Sequence, residues 1–257
     1  EAGKVDEYVK NGGMVIATGE TGLYDPYVGL RKEQILECLG VDYVKKIRRD
    51  MISSMFLVLD KDKKIFTSYA DTDVIPVGDD MVFVETKKDV EKYLKLIPPH
   101  MYGPPERCYF TEIENTPGVT KYSYGKGKSV YIPWLPGSFY NLGGHNNTFR
   151  FMKDILTNVC HIQSIGEDLN PMVEVSLSGK DNGDIFVQFV NNSGCFSLSF
   201  YDPIPIYDCK VNILSDKKPK SAVSLRTGKS VKYEYKDSTI HLMLDKLQDY
   251  DGIMISV

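Results

Sequence analysis

The residues best suited to bind a ligand are concentrated in one segment, residues 133–146, at the end of a predicted strand. This segment contains the only tryptophan, two more aromatic residues and several polar side chains. Aromatic faces beside amide or imidazole groups can bind a sugar ring. We therefore take Trp134, Tyr140, His145 and Asn146 as candidate ligand-binding residues. The alternative is a structural loop whose tryptophan anchors two domains to each other.

Acid–base chemistry on a glycosidic bond needs a pair of carboxyl groups. The two groups lie about 5 Å or about 6.5 to 9.5 Å apart, and one of them has a raised pKa. Four carboxylate residues are predicted at strand ends or in loops: Asp25, Glu85, Glu112 and Glu114. None has a distinctive sequence setting, so we assign no catalytic residue. Glu112 is the first choice if the chain is a stand-alone hydrolase.

Nucleophilic catalysis in α/β enzymes uses a serine or cysteine on a tight turn after a central strand. The turn that follows the predicted strand at 14–18 carries Gly19 and Glu20 instead. The histidines lie in loops, at a helix end and in a strand, in settings typical of surface or capping residues: His100, His145, His161 and His241. The sequence therefore indicates no nucleophile with an adjacent base.

Two Gly-Lys-Ser triplets, at 127–129 and 228–230, suggest phosphate-binding loops but do not meet their requirements. Such a loop needs a further glycine five positions before the glycine that precedes the lysine, because bare backbone amides surround the phosphates. Tyr122 and Val223 occupy these positions. We expect no nucleotide cofactor.

An acidic stretch begins like a calcium-binding loop at Asp71 and Asp73. The sixth position of that loop must be glycine and the twelfth a bidentate glutamate, but Pro76 and Val82 stand there. A helix-loop-helix calcium site is therefore excluded. Two interpretations stay open: a solvated acidic loop, and an irregular site that uses Asp71, Asp73, Asp79 and Asp80.

The cysteines are five in number and widely spaced, at positions 38, 108, 160, 195 and 209. Disulfide frameworks and zinc sites use even sets or closely spaced pairs, so neither is indicated. We expect buried thiols that behave as small apolar side chains. No metal is expected.

Composition narrows the class of protein. The chain has 257 residues, of which 42% are hydrophobic and 26% charged, enough apolar material for a packed core. A net charge of −4 gives no basic surface for a nucleic acid. No apolar run approaches the ~20 residues that cross a bilayer, so no membrane partner is expected. We favour a cytoplasmic location, and the absence of an initial methionine suggests a mature product or a piece of a longer protein.

The first part of the chain alternates between helical and strand patterns, which predicts an α/β layered domain. Apolar residues at helical spacing predict helices at residues 5–9, 32–39, 87–96 and 149–160. Short apolar runs predict strands at residues 14–18, 55–59, 65–69, 81–84, 108–113, 120–124 and 128–133. The second part is all β, with short strands and turn residues at regular spacing, a pattern typical of a β-sandwich. Its strands are predicted at residues 172–177, 185–190, 196–201, 209–214, 222–225, 231–235, 240–244 and 252–257. The boundary between the two lies in the Pro-containing stretch 165–171.

An ordered series of short motifs supports a specific resemblance. The motifs are Tyr8–Gly19, Leu39–Val41, Pro104–Glu106, Pro117–Val119, Tyr124–Lys128, Tyr131–Pro133 and Phe189–Gly194. In this order they resemble the region that follows the catalytic barrel in family 42 β-galactosidases and related glycosyl hydrolases.

The resemblance implies both a fold and a division of the chain. In that family a trimerisation domain with the fold of class I glutamine amidotransferases is followed by a small β-sandwich. We accordingly expect an N-terminally incomplete amidotransferase- or flavodoxin-like α/β domain at residues 1–166 and a β-sandwich at 167–257. The barrel that carries the family's catalytic carboxylates is absent. Thr18 and Gly19 stand where an amidotransferase cysteine would be, so no catalytic residue carries over.

These observations favour a non-catalytic C-terminal portion of a glycoside hydrolase that assembles subunits and supports a catalytic barrel. Its expected partners are that barrel and further copies of the chain, because a truncated α/β sheet exposes an apolar edge. Two alternatives stay open. One is a carbohydrate-binding module that uses Trp134 and Tyr140 as platforms. The other is a stand-alone hydrolase with loop carboxylates.

Overall fold

The computed structural model describes residues 1–101, 103–104, 106–166, 169–196 and 198–257. Contacts divide the chain into two compact units, Glu1–Ile162 (unit 1) and Gln163–Val257 (unit 2). Parts of three sequence predictions fall outside the described residues: one residue of the motif at 104–106, two residues of the predicted boundary at 165–171 and the second residue of the predicted strand 196–201.

Among its described residues, unit 1 contains short strands and three α-helices. The helices are α1 (Ala2–Lys10), α2 (Pro136–Gly143) and α3 (Asn146–Asp154), the last continued by a π-type turn at Ile155–Val159. The strands are β1 (Met14–Thr18), β2 (Tyr24–Asp25), β3 (Gly29–Leu30), β4 (Val41–Arg48), β5 (Ser54–Leu57), β6 (Val74–Val77), β7 (Met81–Thr86), β8 (Glu91–Tyr93), β9 (Lys95–Ile97), β10 (Val119–Tyr124) and β11 (Gly127–Ile132).

The central sheet of unit 1 has the order β1-β11-β10-β8. Strands β1 and β11 run parallel, whereas β10 pairs with both of its neighbours in antiparallel fashion. The first helix, its end at Asn11, the first strand and the β10–β11 hairpin are confirmed predictions. Gly127 is required where β11 passes α1, because a Cβ atom there would collide with the Val9 carbonyl oxygen.

Two predicted helices of unit 1 are wrong. Only a 3-10 turn at Glu37–Leu39 forms within 32–39, because the Asp6 carboxylate accepts hydrogen bonds from the Glu37 and Cys38 amides and fixes that turn. Residues 87–96 form β8 and the start of β9, with a bend at Leu94, where φ is 66°. In the second segment Val90 and Leu94 are buried as the helical spacing implied, but pairing with remote strands overrides the local preference.

Three further predictions for unit 1 need correction. Residues 65–69 form turns, although Phe66 and Tyr69 are buried, and residues 108–113 form no strand within the described part of the chain. The predicted loop 133–146 contains α2, which begins with Pro136 at its first position, where proline is well tolerated. The predicted helix near residues 149–160 is confirmed by α3 and its π-type turn.

Unit 2 contains nine strands among its described residues. They are β12 (Val173–Gly179), β13 (Ile185–Asn191), β14 (Cys195–Phe196), β15 (Ser199–Phe200), β16 (Ile206–Leu214), β17 (Ser221–Ser224), β18 (Lys232–Lys236), β19 (Thr239–Leu247) and β20 (Tyr250–Ser256). Two antiparallel sheets, β12-β13-β20-β17 and β16-β19-β18, contribute to one core, as a sandwich requires. Strands β14 and β15 form a separate small hairpin.

The chain as a whole is mostly β, with several sheets and few helices. Unit 1 accordingly contains more strand and less helix than the predicted α/β layers. No helix within the described residues is long and apolar enough to cross a membrane.

Candidate functional site

The four candidate ligand-binding residues follow β11, but they do not share one surface. Trp134 is 0% exposed, and its indole nitrogen donates a hydrogen bond of 3.2 Å to the Gly118 carbonyl. Its ring centroid lies 5.9 Å from that of Phe56 and 5.1 Å from that of Phe151. The indole faces are occupied by the core of unit 1, so the expectation that Trp134 is a sugar platform needs correction. Apolar spacing could not distinguish a buried tryptophan from an exposed one.

The other three candidates lie at the α2–α3 hairpin. Tyr140 is half-buried, with its ring centroid 6.1 Å from that of Phe149, and His145 stacks on Phe139 at 4.8 Å. Asn146 is exposed at the start of α3. The hairpin thus places one tyrosine edge, one imidazole and one amide at the surface of unit 1.

A second cluster of polar groups lies at the carboxyl end of β1, the edge at which open α/β sheets bind ligands. Glu20 pairs with Arg49 at 2.6 Å, and Arg49 also pairs with Asp80. The second carboxylate oxygen of Glu20 is buried and has no hydrogen-bond partner among the described residues. The Tyr131 hydroxyl donates to the Gly19 carbonyl at 2.7 Å and secures this turn. Sequence analysis missed the ion pair because Glu20 and Arg49 are remote in sequence.

The described carboxyl groups with a displaced pKa lack the electrostatic pattern of a glycosidase acid. The Tyr27 amide, then the Val28 amide and Arg31, lower the pKa of Asp25, and Lys45 lowers the pKa of Glu85. Every carboxyl group with a displaced pKa in the described residues is displaced downward, whereas a general acid needs the opposite. These groups are Asp25, Asp50, Asp71, Glu85, Glu91, Asp184 and Asp249.

Glu112 lies in a cleft of about 600 Å³ beside His100, Arg107 and the half-exposed ring of Phe110. Its carboxylate could accept hydrogen bonds from a polar ligand in this cleft. The described lining of this cleft contains no carboxylate besides Glu112.

The acidic stretch does not assemble a calcium site. Asp71 pairs with Arg150 at 3.0 Å and Asp73 with Lys63 at 2.9 Å, while Asp80 pairs with Arg49. Each of these carboxylates therefore faces its own cation. No cluster of three or more metal-ligating side chains occurs within the part of the chain that the structure describes.

The buried cysteines are protected from ionisation. Burial, and secondarily the carboxylate of Asp6, raises the pKa of Cys38 to about 12. Burial also raises the pKa of Cys160 and of Cys209. Because the thiolate is the nucleophile, these three residues stay unreactive near neutral pH.

No protein-family model matches the sequence, and no curated protein matches it. Several solved structures, however, match the fold of the chain. The chain superposes on α-L-fucosidase isoenzyme 2 from Paenibacillus thiaminolyticus with a TM-score of 0.71 and 16% identity, covering 99% of this chain and 38% of that one. A β-galactosidase from Bacillus circulans sp. alkalophilus gives a TM-score of 0.57 and 14% identity, over 99% of this chain and 31% of that one.

A third similar structure is the β-galactosidase from Rahnella sp. R3, with a TM-score of 0.56 and 12% identity. All of this chain is covered, but only 30% of the Rahnella chain. The chain therefore spans about a third of the length of these structures. At such identities the comparison shows a shared fold, one that occurs as a region within glycoside hydrolases.

Proposed function

We propose that this chain is a non-catalytic C-terminal portion of a β-galactosidase-like glycoside hydrolase, in which unit 1 corresponds to the trimerisation domain. Its role is to assemble subunits and to support a catalytic barrel that the chain does not contain. The observation that carries the proposal is the similarity of nearly the whole chain to about a third of a fucosidase and of β-galactosidases. The same fold accompanies enzymes whose names specify different sugars. Sugar cleavage is therefore best assigned to the part that these 257 residues lack.

The electrostatics of the described residues support this role. A glycosidase acid is kept protonated by an environment that raises its pKa. The displaced carboxyl groups here sit beside arginine, lysine or backbone amides and have lowered pKa values. Such groups are permanent anions near neutral pH and can hold ion pairs, but they cannot deliver a proton to a leaving group.

A hydrolysis assay tests the non-catalytic part of the proposal. The purified chain is incubated with a panel of nitrophenyl galactosides and fucosides, and we expect no turnover above buffer. Glu112→Gln is the matched variant. Turnover by the unchanged chain that disappears in this variant would establish the stand-alone hydrolase instead.

Sedimentation velocity tests the assembly part. We expect reversible self-association, because a region that joins subunits must keep surface for its own copies. A chain that stays strictly monomeric at high concentration would contradict this part, while the hydrolysis result would stand independently.

The α2–α3 hairpin supports a second candidate function, binding of a carbohydrate. Tyr140, His145 and Asn146 remain accessible there, although Trp134 does not. Titration calorimetry with galactose- and fucose-containing oligosaccharides is the measurement. Loss of affinity in Tyr140→Ala, with Leu142→Ala on the same exposed hairpin as the control, would favour this function. Equal affinity in both variants would exclude it.

A further inference from the structure

A polar cleft of about 540 Å³ in unit 1 is lined by strand β7 and by the segment 113–117. Its volume is within the range of small-molecule sites, about 300 to 1,000 Å³. Polar groups dominate its walls, whereas apolar surface dominates the cleft beside Glu112. It also brings together two of the four carboxylates predicted at strand ends or in loops. The polar side chains of its lining are Lys45, Glu85, Lys92, Glu114, Asn115 and Thr116.

A β-bulge in β4 supplies part of this lining. Lys46 pairs with Phe83, whereas Lys45 is an extra residue without a partner on β7. Successive side chains of a regular strand point to opposite faces. Here the Lys45 ammonium forms an ion pair with Glu85, and the Lys46 ammonium lies 4.6 Å from the centre of the Phe83 ring. Since Phe83 and Glu85 are two positions apart, the bulge directs both lysines to one face, as bulges beside active sites often do.

The segment 113–117 lies outside the strands, but hydrogen bonds fix it. The backbone groups of Glu114 and Leu96 exchange two hydrogen bonds, of 2.7 and 3.1 Å. The Thr116 hydroxyl donates to one carboxylate oxygen of Glu114 at 3.2 Å and orients that side chain. These groups are therefore held in place before a ligand arrives, which lowers the entropy lost on binding.

The charged groups of the cleft influence one another. Lys45, and less strongly Lys92, lower the pKa of Glu85. Glu85, and less strongly Glu114, raise the pKa of Lys45. The two lysines and the two glutamates thus lie within electrostatic range of each other. Their formal charges cancel, so the lining of the cleft has no net charge.

This combination of groups matches a neutral ligand with several hydroxyl groups. A lining without net charge attracts neither anions nor cations over a distance. A sugar hydroxyl both donates and accepts hydrogen bonds, so it can use an ammonium group and a neighbouring carboxylate at the same time. Hydrogen bonds to charged groups are also about twice as strong as those between neutral groups. The cleft can therefore compete with water for a saccharide.

We propose that this cleft binds a neutral saccharide, held by Lys92, Glu114 and Asn115. The inference rests on the proposed function for the choice of a saccharide, and it adds a sugar-binding site to the assembly role. Lys92 and Asn115 are exposed, so their polar ends are accessible to a ligand. Glu85, paired with Lys45, accepts hydrogen bonds from the sugar as an anion.

Titration calorimetry of the full chain with galactose, lactose and L-fucose tests the site. We expect at least one of the three sugars to bind. Lys92→Ala removes an exposed donor, and Glu114→Gln removes a charge while the shape of the side chain is kept. Each variant should weaken binding roughly tenfold, the effect of losing a hydrogen bond to a charged group. The fluorescence of Trp134 in the core of unit 1 should stay unchanged, which shows that the fold is intact.

Lys236→Ala is the matched control for Lys92→Ala. Both residues are exposed lysines on edge strands, Lys236 on β18 of unit 2 and Lys92 on β8 of unit 1. The control should bind the sugar like the unchanged chain, and so should Tyr140→Ala on the α2–α3 hairpin. Free glycine is the probe for a small zwitterion, the other ligand that paired charges could hold, and it should not bind.

The proposal is overturned if none of the three sugars binds, if glycine binds instead, or if either cleft variant keeps the affinity of the unchanged chain. Equal loss in Lys236→Ala, or loss in Tyr140→Ala alone, would also overturn it. These outcomes leave the assembly role intact, because sedimentation measures that role separately. Glycoside turnover that Glu114→Gln abolishes would confirm the cleft as a saccharide site but refute the non-catalytic role.

Discussion

Unit 1 is packed around large aromatic side chains, whereas the core of unit 2 is almost entirely aliphatic. In unit 1, Trp134 lies between Phe56 and Phe151, with further aromatic rings around them. In unit 2, Phe189 is the one buried aromatic residue of the described core, and valine, leucine and isoleucine fill the rest together with Cys209 and Ala222. The first core concentrates its packing in a few side chains, and the second distributes it over many.

The two units also differ in their buried polar groups. Unit 1 buries Asp62 and Asp154, whose carboxylates accept hydrogen bonds from the backbone amides of Leu94 and Ser68. Unit 2 buries Asp251, which accepts from the Ser224 hydroxyl. The short strands of unit 1 are joined by irregular segments that need such anchors. The long antiparallel ladders of unit 2 satisfy most of their own backbone groups.

The largest predicted effect comes from Trp134→Ala, which removes the centre of the unit 1 core. Deleting a buried tryptophan side chain costs about 3 to 5 kcal/mol. We expect this loss in the free energy of unfolding of unit 1, while unit 2, with its own core, keeps its stability. Hydrogen exchange read by mass spectrometry at increasing urea concentrations reports the two units separately.

Trp134→Phe serves as the control, because it leaves a smaller cavity and should cost distinctly less. Equal destabilisation of both units by Trp134→Ala would show that the two cores unfold together. That outcome would contradict the view that unit 1 depends on a few large side chains and that unit 2 is stabilised independently by many small ones.

A smaller effect is expected from removing buried carboxylates. Asp154→Ala leaves the Ser68 amide and hydroxyl, at 3.0 and 2.9 Å from the carboxylate, without their acceptor. Unsatisfied buried groups cost about 1 to 3 kcal/mol each. Ser68 is half-buried, so each of its two groups should cost an amount near the lower end, and we expect a loss of roughly 2 kcal/mol in unit 1. Asp251→Ala in unit 2 orphans only the Ser224 hydroxyl and should cost about half as much. Urea unfolding measures the free energy of unfolding of the two variants. Equal losses would show that the buried carboxylates contribute equally to the two units.

The difference between the long ladders of unit 2 and the irregular segments of unit 1 also decides how much of each fold the sequence predicts. The ladders of unit 2 follow the alternation of apolar and polar residues, so β13, β19 and β20 lie close to their predicted positions. In unit 1 the apolar spacing at 87–96 imitates a helix, but Asp62 holds the Leu94 amide and the chain bends into two strands. A hydrogen bond across 32 residues leaves no local pattern.

The candidate site, like the fold of unit 1, is predictable only in part. Residue types identified the segment 133–146 as unusual, and Tyr140, His145 and Asn146 do lie towards the surface. They could not show that Trp134 faces inward, because the burial of an aromatic ring depends on partners such as Phe56 that lie far away in sequence.

The smallest predicted effect concerns alkaline pH. Burial raises the pKa of Cys38 from 9.0 to about 12 and also raises the pKa values of Tyr69 and Tyr131, all in unit 1. For such groups the folded state favours the neutral form. The stability they provide is complete below the unfolded-state pKa and is lost as pH rises from there toward the folded-state pKa. Unit 1 should therefore weaken between pH 8 and pH 10, with Cys38 contributing about 1 kcal/mol.

The fluorescence of Trp134, the only tryptophan, follows urea unfolding of unit 1 at the two pH values. Cys38→Ala removes the thiol. Between pH 8 and pH 10, unit 1 of this variant should therefore lose about 1 kcal/mol less stability than unit 1 of the unchanged chain, whatever the stability of the variant at pH 8. Cys209→Ala in unit 2 is the matched control and should leave the pH dependence of unit 1 unchanged. If Cys38→Ala retains the full alkaline loss, the thiol is ionisable in the folded protein, and the close packing assigned to that part of unit 1 is wrong.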